Sequence, residues 1–135
     1  MLFRSPARTT SRPESGRGLK RGAVVGVAVS GDYGKPRPAV IVQSDRLDAT
    51  DSLLVCLVTS DVGPASRYRL PVVPSAENGL RRMSDVMVDK IIAVPKTKIG
   101  RVFGFLDSVD LSNLDRMLAF AVGLADHEGS GANGV

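Results

Sequence analysis

Short apolar runs, mostly β-branched and each bounded by turn-forming residues, recur through the first two thirds of the chain. Residues 23–29 (AVVGVAV) end in the turn formers Ser30, Gly31, Asp32 and Gly34, a strand followed by a loop. Residues 39–43 follow Pro38 directly, as suits a strand whose first residue cannot donate a hydrogen bond. Residues 53–58 (LLVCLV) are continuously apolar, the pattern of a central strand buried on both faces. Residues 67–73 alternate less cleanly, and Pro71 assigns them to a sheet edge. Residues 85–88 and 91–94 are two further runs with Asp89 and Lys90 between them, either a tight turn or one bent strand. Residues 100–106 (GRVFGFL) complete the set.

The period then changes. From 109 to 124, Leu111, Leu114, Leu118, Ala121 and Val122 recur at helical spacing, with Met117 and Leu124 alongside. Asp107 or Ser108 can cap this helix, and Asp110 suits the positive end of its dipole. The predicted class is mainly β with one C-terminal α-helix: a small β-barrel with the helix packed on it.

Composition alters this picture chiefly at the ends. Residues 1–20 are rich in Arg, Ser, Pro and Gly, and Pro6 and Pro13 break any helix. They read as a disordered basic leader, not as a secretory signal, which needs an apolar centre. Residues 127–135 (HEGSGANGV) read as a flexible tail that holds the only histidine, His127. A single folded domain of residues 21–126 remains. The leader holds five basic residues against one acidic, leaving thirteen of each sign in the rest of the chain. The net charge of +4 therefore says nothing about whether the domain binds nucleic acid. No run of 18 apolar residues exists to span a membrane. The lone Cys56 can form no intramolecular disulfide, and the usual zinc-site spacings are missing. A cytoplasmic protein needing neither metal nor cofactor is the natural expectation.

Candidate chemistry gathers where two strands begin and end. Arg37 and Pro38 stand at the mouth of KPRPAVIVQS, and LLVCLVTS ends in Thr59 and Ser60. A guanidinium beside two hydroxyls can hold and polarise a phosphodiester. Ordinary structural roles also exist: exposed Arg is common, and Thr and Ser often end strands by bonding their own backbone.

The order RGAVVGVAV, KPRPAVIVQS, LLVCLVTSD, a turn at Gly79 and Leu80, then SDVMVDKIIAVPKTKIGRVFGFL and a closing helix resembles the MazF/PemK toxins. The resemblance runs from about Lys20 to Asp126. It implies an SH3-like small β-barrel of the CcdB/MazF/PemK type. It also implies a homodimer that cleaves single-stranded RNA and is neutralised by a cognate antitoxin protein. Arg37 matches the family's Arg-Pro position, where it would clamp the phosphate and stabilise the phosphorane. Thr59 and Ser60 match the family's Thr-Ser pair. RNA contacts are expected from Tyr33, Lys35, Arg67, Tyr68 and Arg69. Phe103, Phe105 and Phe120 are expected in the core or a dimer contact. The chain departs from some members in two places. Met87 stands where they have a second Arg, and the loop SGDYGK lacks the His that others carry. A gyrase inhibitor like CcdB, or a catalytically weak interaction module of the same fold, are the alternatives. The CcdB toxins use a C-terminal segment with a Trp, and this chain has none.

Overall fold

The computed structural model describes residues 19–28, 35–124 and 126. Most of the leader, Tyr33 and the tail from His127 lie outside the described residues. Six strands are present: β1 (Ala23–Ala28), β2 (Pro36–Ile41), β3 (Ser52–Thr59), β4 (Arg69–Val72), β5 (Ser84–Pro95) and β6 (Ile99–Phe105). A 3-10 turn (Lys96–Lys98) joins β5 to β6, and the helix α1 (Ser108–Ala121) follows. The strands form one antiparallel sheet in the order β4-β5-β3-β2-β1-β6.

Alternation along the strands explains why both sheet faces are apolar. Val24, Val40, Cys56, Val58, Val86 and Val88 point to one face. There they receive Leu114 of α1, with Leu111, Met117 and Leu118 packed around it. Ala23, Val25, Val27, Ala39, Ile41, Leu53, Val55 and Val94 line the other face, where Ile99 and Val102 of β6 join them. Asp107 caps α1 by accepting a hydrogen bond from the Asp110 amide (2.8 Å). Arg21 ties the helix to the sheet, pairing with Asp115 (2.6 Å) and donating through Nε to the Val42 carbonyl (2.9 Å).

One sequence expectation needs correcting, and one alternative that the sequence left open is resolved. The second strand starts at Pro36, not after Pro38, so it contains both prolines. The runs on either side of Asp89 and Lys90 form one twelve-residue strand, the second of the two alternatives the sequence offered. Its register against β3 shifts between Cys56 and Val58, and the exposed Asp89 and Lys90 lie at this irregularity, 4.0 Å apart. The shift lets one strand serve both cores: Val86 and Val88 face the helix, while Ile92 and Val94 face the other way. Pro71 does lie on an edge strand, since β4 ends the sheet.

The barrel description is approximate, because the sheet is not closed and β4 and β6 stand at its two ends. A loop fills part of the seam. The Phe105 amide of β6 donates to the Glu77 carbonyl in the connection after β4 (2.8 Å). Asn78, buried, holds that connection in shape, accepting from the Ser75 and Leu80 amides and donating to the Val73 carbonyl.

Candidate active site

The site begins with two prolines. The Val42 amide, just past β2, donates to the Leu54 carbonyl of β3 (3.0 Å), so even-numbered residues aim their N–H groups at β3. Pro36 and Pro38 occupy even positions and have no N–H to give. The β2–β3 ladder correspondingly ends at the pair Ala39–Leu57, while β1 continues to pair with β2 as far as Pro36. Among the described residues, the start of β2 is thus backbone-paired from one side only, and the β2–β3 ladder gives way to an open mouth.

Arg37 stands at this mouth, exposed, with its backbone paired to Val27 of β1. Arg37 and Thr59 each stand two residues beyond the last β2–β3 pair, Ala39–Leu57, one on either side of the opening. Thr59 is in turn directly opposite Asp85 of β5, and Asp85 is opposite Pro71 of β4. Thr59 and Asp85, opposite one another, share a face, and alternation from Val55 and from Ala39 puts Thr59 and Arg37 on the same face of the sheet.

Thr59 is half-buried and Ser60 exposed. Thr59 Oγ1 accepts a hydrogen bond from the Asp61 amide (3.0 Å), which uses one lone pair and leaves the hydroxyl hydrogen to donate. The turn beyond is held from below. Asp85, 2% exposed, accepts from the Gly63 amide (3.0 Å) and pairs with Arg69 Nη1 (3.5 Å). The same Nη1 donates to the Asp61 carbonyl (3.3 Å). A buried carboxylate and a guanidinium therefore grip residues 61–63 from beneath and fix where the Thr59–Ser60 hydroxyls sit.

The residues expected to contact RNA separate into three places. Lys35 is exposed immediately before β2, two residues from Arg37. Arg69 is directed into the Asp85 network, and it lies directly across from Met87. The pairing with Met87 is of the backbones, while the Arg69 guanidinium is turned to Asp85 and the Asp61 carbonyl. Arg67 reaches the other way, its Cζ 5.1 Å from the centre of the Phe120 ring on α1. Tyr68, exposed, lines one cleft with Val88, Asp89, Ile91 and Phe120, and another with Asp61, Gly63 and Arg69. Phe120 and Phe105 are themselves largely exposed, and neither belongs to the buried core.

Asp85 was not visible as a site residue from the sequence. Its only signal is a carboxylate within the strand pattern SDVMV, and its meaning depends on a cross-strand partner sixteen residues away. Cys56 plays no part in the mouth: burial pushes its thiol up to about 12, which keeps it protonated. Among the described residues, no group of three or more His, Cys, Asp or Glu side chains is placed to hold a metal ion. No helix among them is long and apolar enough to cross a membrane.

The comparisons agree with one another. Residues 20–122 match the family described as PemK-like, MazF-like toxin of type II toxin-antitoxin system. The chain is 36% identical over 108 residues to the probable endoribonuclease MazF of Mycolicibacterium smegmatis, covering 79% of this chain and 99% of that protein. Among solved structures, the Mycobacterium tuberculosis toxin MazF-mt6 superposes with a TM-score of 0.64 at 22% identity, covering 75% of this chain and 96% of that one. A mycobacterial endoribonuclease in complex with its cognate antitoxin superposes with a TM-score of 0.65 at 23% identity, covering 78% and 95%. The fold is shared with these structures, and the chain belongs to the PemK/MazF-like family of type II toxin-antitoxin toxins.

Proposed function

We propose that this protein is an endoribonuclease that cuts single-stranded RNA, mRNA included, without a metal ion. The placement of Arg37 and Thr59 on one sheet face, each two residues beyond the last β2–β3 pair, carries this reading. The likeness to a probable endoribonuclease along nearly that protein's whole length supports it. The ribose 2'-hydroxyl attacks the adjacent phosphorus, and the bond from phosphorus to the 5'-oxygen breaks. The products are a 2',3'-cyclic phosphate and a free 5'-hydroxyl. Negative charge builds on the non-bridging oxygens of the phosphorane, where the planar guanidinium of Arg37 can donate two hydrogen bonds. The role of Arg37 is therefore charge stabilisation. Thr59 and Ser60 orient the phosphate or the 2'-hydroxyl. Asp85 and Arg69 keep the turn that carries them in place.

The working unit is residues 21–126, acting in the cytoplasm as a homodimer restrained by a cognate antitoxin. Chelator-treated protein incubated with single-stranded RNA should yield fragments ending in 2',3'-cyclic phosphate, at the same rate as untreated protein. Inhibition of DNA supercoiling by gyrase, with RNA left intact, would instead assign the protein to the CcdB type of activity.

A further inference from the structure

A second feature lies one residue from Arg37, on the opposite sheet face. Pro38, Gly79, Leu80, Arg81, Arg101 and Phe103 line a cleft of about 430 Å³. Its composition is specific. Arg81 and Arg101 are exposed, and among the described residues neither has a carboxylate within ion-pair distance. The Arg101 Cζ lies 5.7 Å from the centre of the Phe103 ring, and Phe103 is only half-buried.

The wall of the cleft is built in advance. Asn78 and Ser75 cross-bond through their side chains and amides at 3.0 Å, and the Gly79 amide donates to the Ser75 carbonyl (2.9 Å). Gly79 has φ +72°, and a Cβ there would lie 2.1 Å from the Phe103 carbonyl oxygen. The loop therefore abuts β6 backbone to backbone, with Phe103 and the two guanidiniums at its margin.

We infer that this cleft is a nucleotide subsite of the RNA strand whose phosphate Arg37 holds, taking one base against Phe103 and a phosphate between Arg81 and Arg101. A base presents a flat π face and its phosphate a negative charge. An aromatic ring flanked by guanidiniums matches both, and such stacking tolerates any base. Pro38 follows Arg37 directly in β2, so the subsite and the catalytic mouth adjoin the same strand end from its two faces. The inference rests on the endoribonuclease reading and extends it to residues outside the mouth.

The test uses the full chain and a 2'-O-methylated RNA 12-mer, which binds but cannot be cut. Anisotropy titrations compare wild type with the double variant Arg81→Gln/Arg101→Gln and with Phe103→Leu, each checked by circular dichroism. The double variant should bind about tenfold or more weakly, and the salt dependence should fall by about 0.7 in log–log slope for each phosphate that is no longer neutralised. Phe103→Leu should weaken binding about 5- to 100-fold without changing that slope. Because both arginines are exposed, the double variant remains informative if Phe103→Leu fails to fold. Unchanged RNA affinity in a folded double variant overturns the subsite, as does an equal loss towards duplex DNA. Loss of antitoxin binding with RNA affinity intact also overturns it and gives the cleft to a protein partner. If wild type cuts RNA in these cases, only the subsite fails; if wild type neither binds nor cuts RNA, the endoribonuclease reading fails with it.

Discussion

Two buried groups show how differently similar burial is used at the residue scale. Cys56 is fully buried among apolar neighbours, and desolvation raises its thiol from 9.0 to about 12. In the unfolded chain it ionises near 9.0, so the stability it contributes is fully present below pH 9 and declines as the pH climbs towards 12. The native protein should not react with a disulfide probe such as Ellman's reagent at pH 8, whereas the urea-unfolded chain should titrate one thiol. Reaction at the free-thiol rate in the native state would show that this core opens. Asp85 is buried with a charge, and Arg69 and the Gly63 amide are its partners. Arg69→Ala leaves that carboxylate one donor and should cost about 1–3 kcal/mol in urea denaturation. A loss below about 0.5 kcal/mol would mean that the pair does not hold the turn. As candidates, Arg37, Thr59 and Ser60 could be picked out in the sequence, because they stand at the ends of strong apolar runs. Asp85 could not, because a single Asp in a strand acquires its role only from the strand beside it.

The order and type of the elements could be read from hydrophobic periodicity, and the capping aspartate of α1 from its place before the helix. The beginning of β2 could not. Proline ordinarily marks a strand boundary, but Pro36 and Pro38 sit inside β2 because their missing N–H groups face the side where the β3 ladder has ended. Those prolines also keep β2 and β3 from zipping together and leave the mouth open. Asp89 and Lys90 left open a turn or one bent strand, and the chain takes them as an irregularity within one long strand. Gly79 tests the loop that spans the seam. With positive φ and no room for a Cβ, Gly79→Ala should lower the melting temperature by several degrees, a shift that corresponds to more than about 1 kcal/mol in a domain of this size. An unchanged melting temperature would show that the loop moves freely away from β6.

Across the whole molecule, charge and shape were legible to different degrees. The +4 net charge resides in the first twenty residues, while the rest of the chain is balanced. Deleting residues 1–18 should therefore leave the melting temperature unchanged and reduce salt-sensitive, nonspecific RNA binding. A lower melting temperature would show that this segment docks on the domain. The barrel was legible as a class, but not its open seam, which a buried asparagine and close backbone packing fill in place of a strand pair. Such packing leaves no periodic trace in a sequence. The central claim is that Arg37, on the same sheet face as Thr59 and like it just beyond the last β2–β3 pair, stabilises the phosphorane during RNA cleavage. The most direct measurement compares single-turnover cleavage of one RNA by wild type and by Arg37→Ala in excess chelator, with folding confirmed by matching melting temperatures. The account predicts a loss of about 10²- to 10³-fold for Arg37→Ala, little recovery in Arg37→Lys, and a smaller loss for Thr59→Val. A folded Arg37→Ala variant that cuts RNA at the wild-type rate would contradict it.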